Sequence, residues 1–164
     1  MTDSLRPIEL FSPDRHVVGN FHSGVSSLDG WLKFNAASAS VAGTAATWVL
    51  LRDTRVIGYY ALAMGGLMRD SIPARLGRGH PDPVPILLLA RLALCLDEQG
   101  RGLGGFLLAD ALRRSVIGAS HYGARALIVD AINERAYYFY RHHGFLPLAG
   151  WRLYRRMSDI AKSM

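Results

Sequence analysis

Two hydrophobic periods alternate along the chain. Leu28, Trp31 and Leu32 fall at i, i+3 and i+4, a spacing that puts them on one face of a helix. Ser26 and Ser27 precede them as candidate caps, so the segment LDGWLKFNAASASV is predicted to be helical. Ile8 to Phe11 predicts a short first strand. Thr47 to Leu51 and Val56 to Met64 read as two strands, with Asp53-Thr54 at the turn of an antiparallel hairpin. Between Arg69 and Pro85 stand Pro73, Pro81, Pro83 and Pro85 with Gly77 and Gly79. That density of breakers predicts an irregular loop able to cover a site. Ile86 to Leu96 is an apolar run interrupted by Arg91, as in a central strand buried on both faces. A helix is expected over Phe106 to Ile117, with Leu107, Leu108, Ala111 and Leu112 on one face, then a strand over Ala126 to Val129. Glu134 to His143 predicts a helix that Gly144 can end. Phe145 to Leu148 and Arg152 to Arg156 close the chain as strands.

The 164 residues fit one domain, and neither a repeat nor a linker divides them, so residues 1–164 are read as a single unit. Half of the residues are hydrophobic, enough for a real core. No apolar segment has the length of a membrane span. The N-terminal MTDSLRPIELFSPDRH carries acids and proline where a signal peptide would be apolar, and a soluble, cytoplasmic protein is expected. Cys95 is the only cysteine, which excludes an internal disulfide; inside its apolar run it reads as a buried thiol. The formal net charge is +6, carried by arginine, since Lys33 and Lys162 are the only lysines. That excess favours an acidic partner such as a nucleotide, RNA or an acidic protein.

Gln99-Gly100-Arg101-Gly102-Leu103-Gly104-Gly105 lies between a strand and a helix. Glycines there let the backbone approach a phosphate, while unpaired N–H groups and the helix dipole favour negative charge. Arg101 adds a side-chain donor. Gly100, Gly102 and Gly105 match the G-x-G-x-x-G dinucleotide fingerprint, with Asp130 as the ribose acid. That reading requires further parallel βαβ units, and the sequence before Gly100 reads as a hairpin. Gln99, Gly102 and Gly104 give Q-x-x-G-x-G, and Asn133, Ala136, Phe139, Tyr140, Gly144 and Phe145 give N-x-x-A-x-x-F-Y-x-x-x-G-F downstream.

The two motifs together resemble the GNAT acetyltransferase superfamily. The stretch PVPILLLARLALCLDEQGRGLG, with the RVIGYYAL strand and SSLDGWL helix before it, is similar to the TacT/AtaT-type toxins of toxin–antitoxin pairs, over about Phe21 to Leu153. Those relatives usually carry Asp where this chain has Cys95. The resemblance implies an α+β (three-layer α/β) fold with a central mixed, mostly antiparallel sheet flanked by helices. It implies acetyl-CoA as co-substrate, with no metal. Backbone groups of Leu92, Ala93 and Leu94 would hold the pantetheine arm. Gln99, Gly100, Arg101, Gly102, Leu103, Gly104 and Gly105 would hold the pyrophosphate. Asn133 would bind pantetheine or cap its helix. Tyr140 would protonate the departing thiolate, since a phenol with a pKa of about 10 stays protonated at neutral pH.

No general base stands out: His142 and His143 lie at a helix end that favours a cationic imidazole, and His22, His80 and Glu98 are no better placed. A base is dispensable when the amine is already largely neutral. An α-amine titrates near about 8, and esterification of its carboxyl lowers that further, whereas a lysine amine sits near about 10.4. An aminoacyl-tRNA offers such an α-amine. Candidate RNA contacts are Arg69, Arg75, Arg78, Arg91, Arg113 and Arg114, with Arg152, Arg155 and Arg156 on the last strand; Arg91 has the alternative of a partner in the core. The resemblance also implies a ribbon-helix-helix antitoxin as partner, and a homodimer. A metabolic or peptide N-acetyltransferase, and a non-catalytic CoA-binding module, are the competing readings.

Overall fold

The computed structural model describes residues 4–79 and 81–164, without the side chain of Arg75. Seven strands form a mixed sheet in the order β1-β2-β3-β4-β5-β7-β6. They are β1 Glu9–Leu10, β2 Ala46–Arg52, β3 Arg55–Leu67, β4 Val84–Leu94, β5 Ala126–Asp130, β6 Leu146–Ala149 and β7 Arg152–Arg156. Among the described residues six α-helices accompany them: α1 Ser26–Phe34, α2 Ala36–Ala42, α3 Ala74–Gly77, α4 Leu103–Tyr122, α5 Glu134–His142 and α6 Met157–Lys162. β4 and β5 run parallel; the β1–β2, β2–β3, β5–β7 and β6–β7 pairs are antiparallel. The expected α+β class and mostly antiparallel sheet are therefore those of the molecule. The chain divides into two compact units, Met1–Leu62 with Arg91–Ala111, and Ala63–Ala90 with Leu112–Met164.

In the first unit the hairpin forms as expected. Arg52 and Arg55 are the last partners, and Asp53 takes the turn's left-handed conformation at φ 52°, which Asp tolerates better than most residues. Tyr59, Val49, Leu51 and Val56 pack with Leu28 and Leu32 of α1 and with Ala93 and Cys95, while Trp31 lies at the edge of this core. The helix does not begin as the serines suggested. Val25 is the N-cap residue, without a side-chain cap, and Ser26 and Ser27 are exposed in the first turn. Ser23 instead gives its hydroxyl and its N–H to the Asp29 carboxylate, at 2.6 and 3.0 Å. Nor is the helix continuous, since Asn35 separates α1 from α2. Gly58 admits α4 to the sheet: a Cβ there would stand 2.8 Å from Leu107 and 3.1 Å from Leu94.

In the second unit Leu76, Ile86, Ala126, Ile128 and Tyr154 form the core. Arg69 to Pro85 is more ordered than its breakers imply. It holds a 3-10 turn at Arg69–Ser71 and the short α3, and β4 starts at Val84, two residues earlier than expected. Leu76, fully buried, anchors α3. β4 also stops at Leu94, two residues short of the expected end, because Leu96 opens a 3-10 turn and is about half exposed. Helix α4 begins three residues before the expected Phe106, and α6 was unforeseen: only six residues long, it buries Met157 and Ile160 and ties Arg156 to Asp159.

Candidate active site

β4 carries the first group of candidate residues. The Cys95 N–H donates to the Ile57 carbonyl of β3 at 2.8 Å. Peptide groups alternate from one strand edge to the other, so Ala93 also turns its backbone toward β3, and Leu92 and Leu94 turn theirs to the opposite edge. Ala93, expected among the backbone ligands, thus faces the wrong edge for that task. The pairing of β4 with β5 covers Leu87–Leu89, and β4 continues to Leu94. The Gln99 amide donates to the Leu94 carbonyl at 2.9 Å and, more weakly, to the Ser23 carbonyl at 3.4 Å. Gln99 therefore spends its side chain on tying the loop to the strand.

Beyond Gln99 the chain turns through Gly100 at φ +82° and Gly102 at φ +81°. L side chains rarely adopt this conformation. A Cβ at either position would meet no atom within 4 Å, so conformation rather than crowding calls for glycine, and the space beside the backbone is open. Phe106 N–H makes an early bond of α4, to the Gly102 carbonyl at 3.1 Å. Leu103, Gly104 and Gly105 form the first turn of a 20-residue helix, where N–H groups lack intrahelical partners and the dipole is positive. Arg101 is exposed, with one guanidinium nitrogen 3.5 Å from Glu98. The open glycine turns and free N–H groups suit a pyrophosphate, which fits the co-substrate expected from the motif. Glu98 itself is buried and accepts both arms of Arg52, at 2.8 and 2.9 Å. Hydrogen bonding from Arg52 holds its carboxyl below the usual range; it is a structural anion, not a base.

The second group lies on α5. Asn133 is its N-cap: the side-chain oxygen accepts the Ala136 N–H at 2.8 Å. The cap uses that oxygen, leaving the amide N–H groups as donors. Tyr140 is 6% exposed and lies edge-on to Phe139 and Phe145, at centroid distances of 5.3 and 5.5 Å. Among the described residues no group hydrogen-bonds its hydroxyl. Burial pushes the phenol's pKa up, which secures the proton a general acid needs. Gly144, at φ +90°, closes the helix, and Phe145 N–H returns to the Tyr140 carbonyl at 3.1 Å. The motif's Gly-Phe pair thus seals the turn carrying Tyr140.

Several expected residues have other duties. Arg152 grips Asp130 with both arms, at 2.7 and 2.8 Å, which removes Asp130 as a ribose acid and commits Arg152 to the sheet. Arg156 is held by Asp159, and Arg155 donates to the His143 carbonyl at 3.2 Å. His143 runs opposite to the helix-end argument: burial, then His142 and Arg155, depress its pKa. Burial raises the pKa of Cys95, an inert thiol. Arg91 lies over the Trp31 ring, 4.4 Å from its centroid, a partner the sequence had not named. Arg69, Arg78 and Arg113 are exposed and Arg114 half-buried. His80 and the Arg75 side chain lie outside the described residues.

A mixed sheet with a glycine turn opening a helix at the end of its central strand, and an N-capped Tyr helix after the next strand, defines a GNAT-type acyltransferase. No family model matches the chain. It is 46% identical over 132 residues to the tRNA-acetylating toxin of Mycobacterium tuberculosis (strain ATCC 25618 / H37Rv), with 80% of each chain covered. Similar solved structures include AtaT complexed with acetyl-methionyl-tRNAfMet, with TM-score 0.88, 26% identity, and 98% of this chain and 99% of that one covered. A mutant AtaT toxin bound to the C-terminus of the antitoxin AtaR and acetyl-CoA is similar at TM-score 0.85 and 26% identity, with 99% of each chain covered. The chain belongs to the tRNA-acetylating toxins, the GNAT-type toxins of toxin–antitoxin systems.

Proposed function

We propose that residues 1–164 act as one acetyltransferase domain that moves the acetyl group of acetyl-CoA onto the α-amine of an aminoacyl-tRNA, removing that amine from peptide-bond formation. The similarity to the tRNA-acetylating toxin carries this reading, and the open glycine turns at Gly100 and Gly102 support it. Gly100 to Gly105, with Arg101, hold the pyrophosphate. The outward edge of Leu92 and Leu94 and the Asn133 amide hold the pantetheine arm. Binding energy from these remote groups orients the thioester for attack.

The neutral amine attacks the thioester carbonyl carbon. A C–N bond forms, the C–S bond breaks, and the amine proton passes to solvent. Tyr140 supplies the proton the leaving thiolate takes and regains one from solvent, which closes the balance. The amine needs no protein base, because an esterified α-amine is largely neutral near pH 7–8. Arg69, Arg75, Arg78, Arg113 and Arg114 contact phosphates and give salt-dependent affinity. The partner that silences the enzyme is an antitoxin of ribbon-helix-helix type, and the working state is a homodimer in the cytoplasm. No described helix is long and apolar enough to cross a membrane. The test is incubation with charged tRNA and labelled acetyl-CoA. Label on the aminoacyl moiety, with growth arrest on expression, is the expected result. Label confined to free amines or peptides, or no turnover, would overturn it.

A further inference from the structure

Arg91 is the half-buried cation nearest in sequence to the proposed thioester edge, and its surroundings are unusual. Side chains alternate along β4, so Arg91 shares a face with Ala93, whose neighbours in the core include Leu28, Leu32 and Tyr59. The guanidinium lies 4.4 Å from the Trp31 centroid. Trp31 in turn lies nearly parallel to Tyr59, at 6.0 Å and 9°, and the Tyr59 hydroxyl is fixed to the Leu28 carbonyl at 2.7 Å. The result is an aromatic column with the guanidinium carbon seated over the indole. Among the described residues Arg91 has no ion pair and no hydrogen bond. Asp29, a buried carboxylate of α1, is spent on Ser23 and lies 3.5 Å from His22. A guanidinium seated over an aromatic ring keeps N–H donors that the ring does not use, and its fork can grip a phosphate with two parallel bonds.

We infer that Arg91, held on Trp31, is a binding site for the phosphate nearest the reacting amine of the nucleic-acid acceptor. This rests on the aminoacyl-tRNA reading above. In such an acceptor the amino-acid carboxyl is esterified and carries no charge, so the first anion the enzyme meets is the phosphate one ribose away from the ester. A cation one residue before Leu92 is placed to hold it. The same chemistry could come from acetyl-CoA, but the Gly100 to Gly105 turn already supplies donors for that pyrophosphate.

The test compares two acceptors bearing the same amino acid: aminoacyl-tRNA, and an aminoacyl-adenosine with no phosphate. For Arg91→Gln the ratio of kcat/KM on aminoacyl-tRNA to kcat/KM on aminoacyl-adenosine is expected to fall about 10–100-fold, the effect of one charge-assisted pair. Arg91→Lys, which keeps the charge but loses the planar fork, falls by less. The slope of log affinity for tRNA against log salt drops by about one in Arg91→Gln. Acetyl-CoA affinity by calorimetry stays that of the wild type. Equal losses on both acceptors, or weaker acetyl-CoA binding, would overturn the assignment in favour of a structural role or a cofactor phosphate. An unchanged ratio in both variants would also overturn it. Absence of any transfer to tRNA by the wild type is a separate result, which defeats the underlying reading instead.

Discussion

The glycine turn and helix α5 solve different problems with different materials. The glycine turn of the first unit is built from backbone: Gly100 and Gly102 at positive φ, then the first N–H groups of α4. Its side chains serve as scaffolding, with Gln99 bonded to Leu94 and Glu98 locked by Arg52. Helix α5 of the second unit reverses this. Its backbone is closed off by Asn133 at one end and Gly144 at the other, and the proposed chemistry falls to one side chain, Tyr140. Backbone recognition tolerates many side-chain changes but demands particular φ angles. Side-chain catalysis tolerates neighbours of many shapes but demands one functional group.

That contrast can be broken most sharply at Tyr140. Tyr140→Phe keeps the edge-on packing against Phe139 and Phe145 and removes the proton donor. We expect kcat to fall about 10²–10⁴-fold with a melting temperature near that of the wild type; rates under saturating acetyl-CoA check it. The next largest effect is on stability. Gly58→Val would drive a side chain into Leu107 and Leu94, prise α4 from the sheet and cost about 1–3 kcal/mol, measured by denaturant unfolding. Gly102→Ala meets no clash but strains a left-handed backbone, at about 1 kcal/mol. We expect KM for acetyl-CoA to rise by about tenfold or less while kcat on saturating substrate changes little, as steady-state kinetics would reveal. The smallest effect is a pH response. Glu98 titrates below its unfolded value, so its pair with Arg52 contributes stability above the unfolded pKa of about 4.3, lost as pH falls through the folded one. Glu98→Gln should flatten the acid limb of a stability-versus-pH curve, while lowering stability at pH 7.

Which parts were legible in the sequence follows from the same division. The glycine turn and the extent of α5 were readable, because positive φ selects glycine, capping selects Asn, and their spacing is fixed by strand and helix geometry. The hairpin was readable from period two. What escaped depends on contacts distant in sequence. Arg91 finds Trp31 sixty residues away in the chain (91 minus 31), and Arg152 finds Asp130 across β5 and β7. The depressed pKa of His143 comes from burial, from His142 and from Arg155 on another strand, so a helix-dipole argument alone pointed the opposite way. Prolines masked the order between Arg69 and Pro85, where the buried Leu76 outweighs the breakers. Helix α6 is too short to show a period.

The account stands on a separation of binding from transfer, and calorimetry probes it directly. Acetyl-CoA titrated into Tyr140→Phe should bind with the affinity of the wild type, because the grip is made by the glycine turn. A wild-type protein that binds no acetyl-CoA, or a Phe variant that loses its affinity, would contradict it.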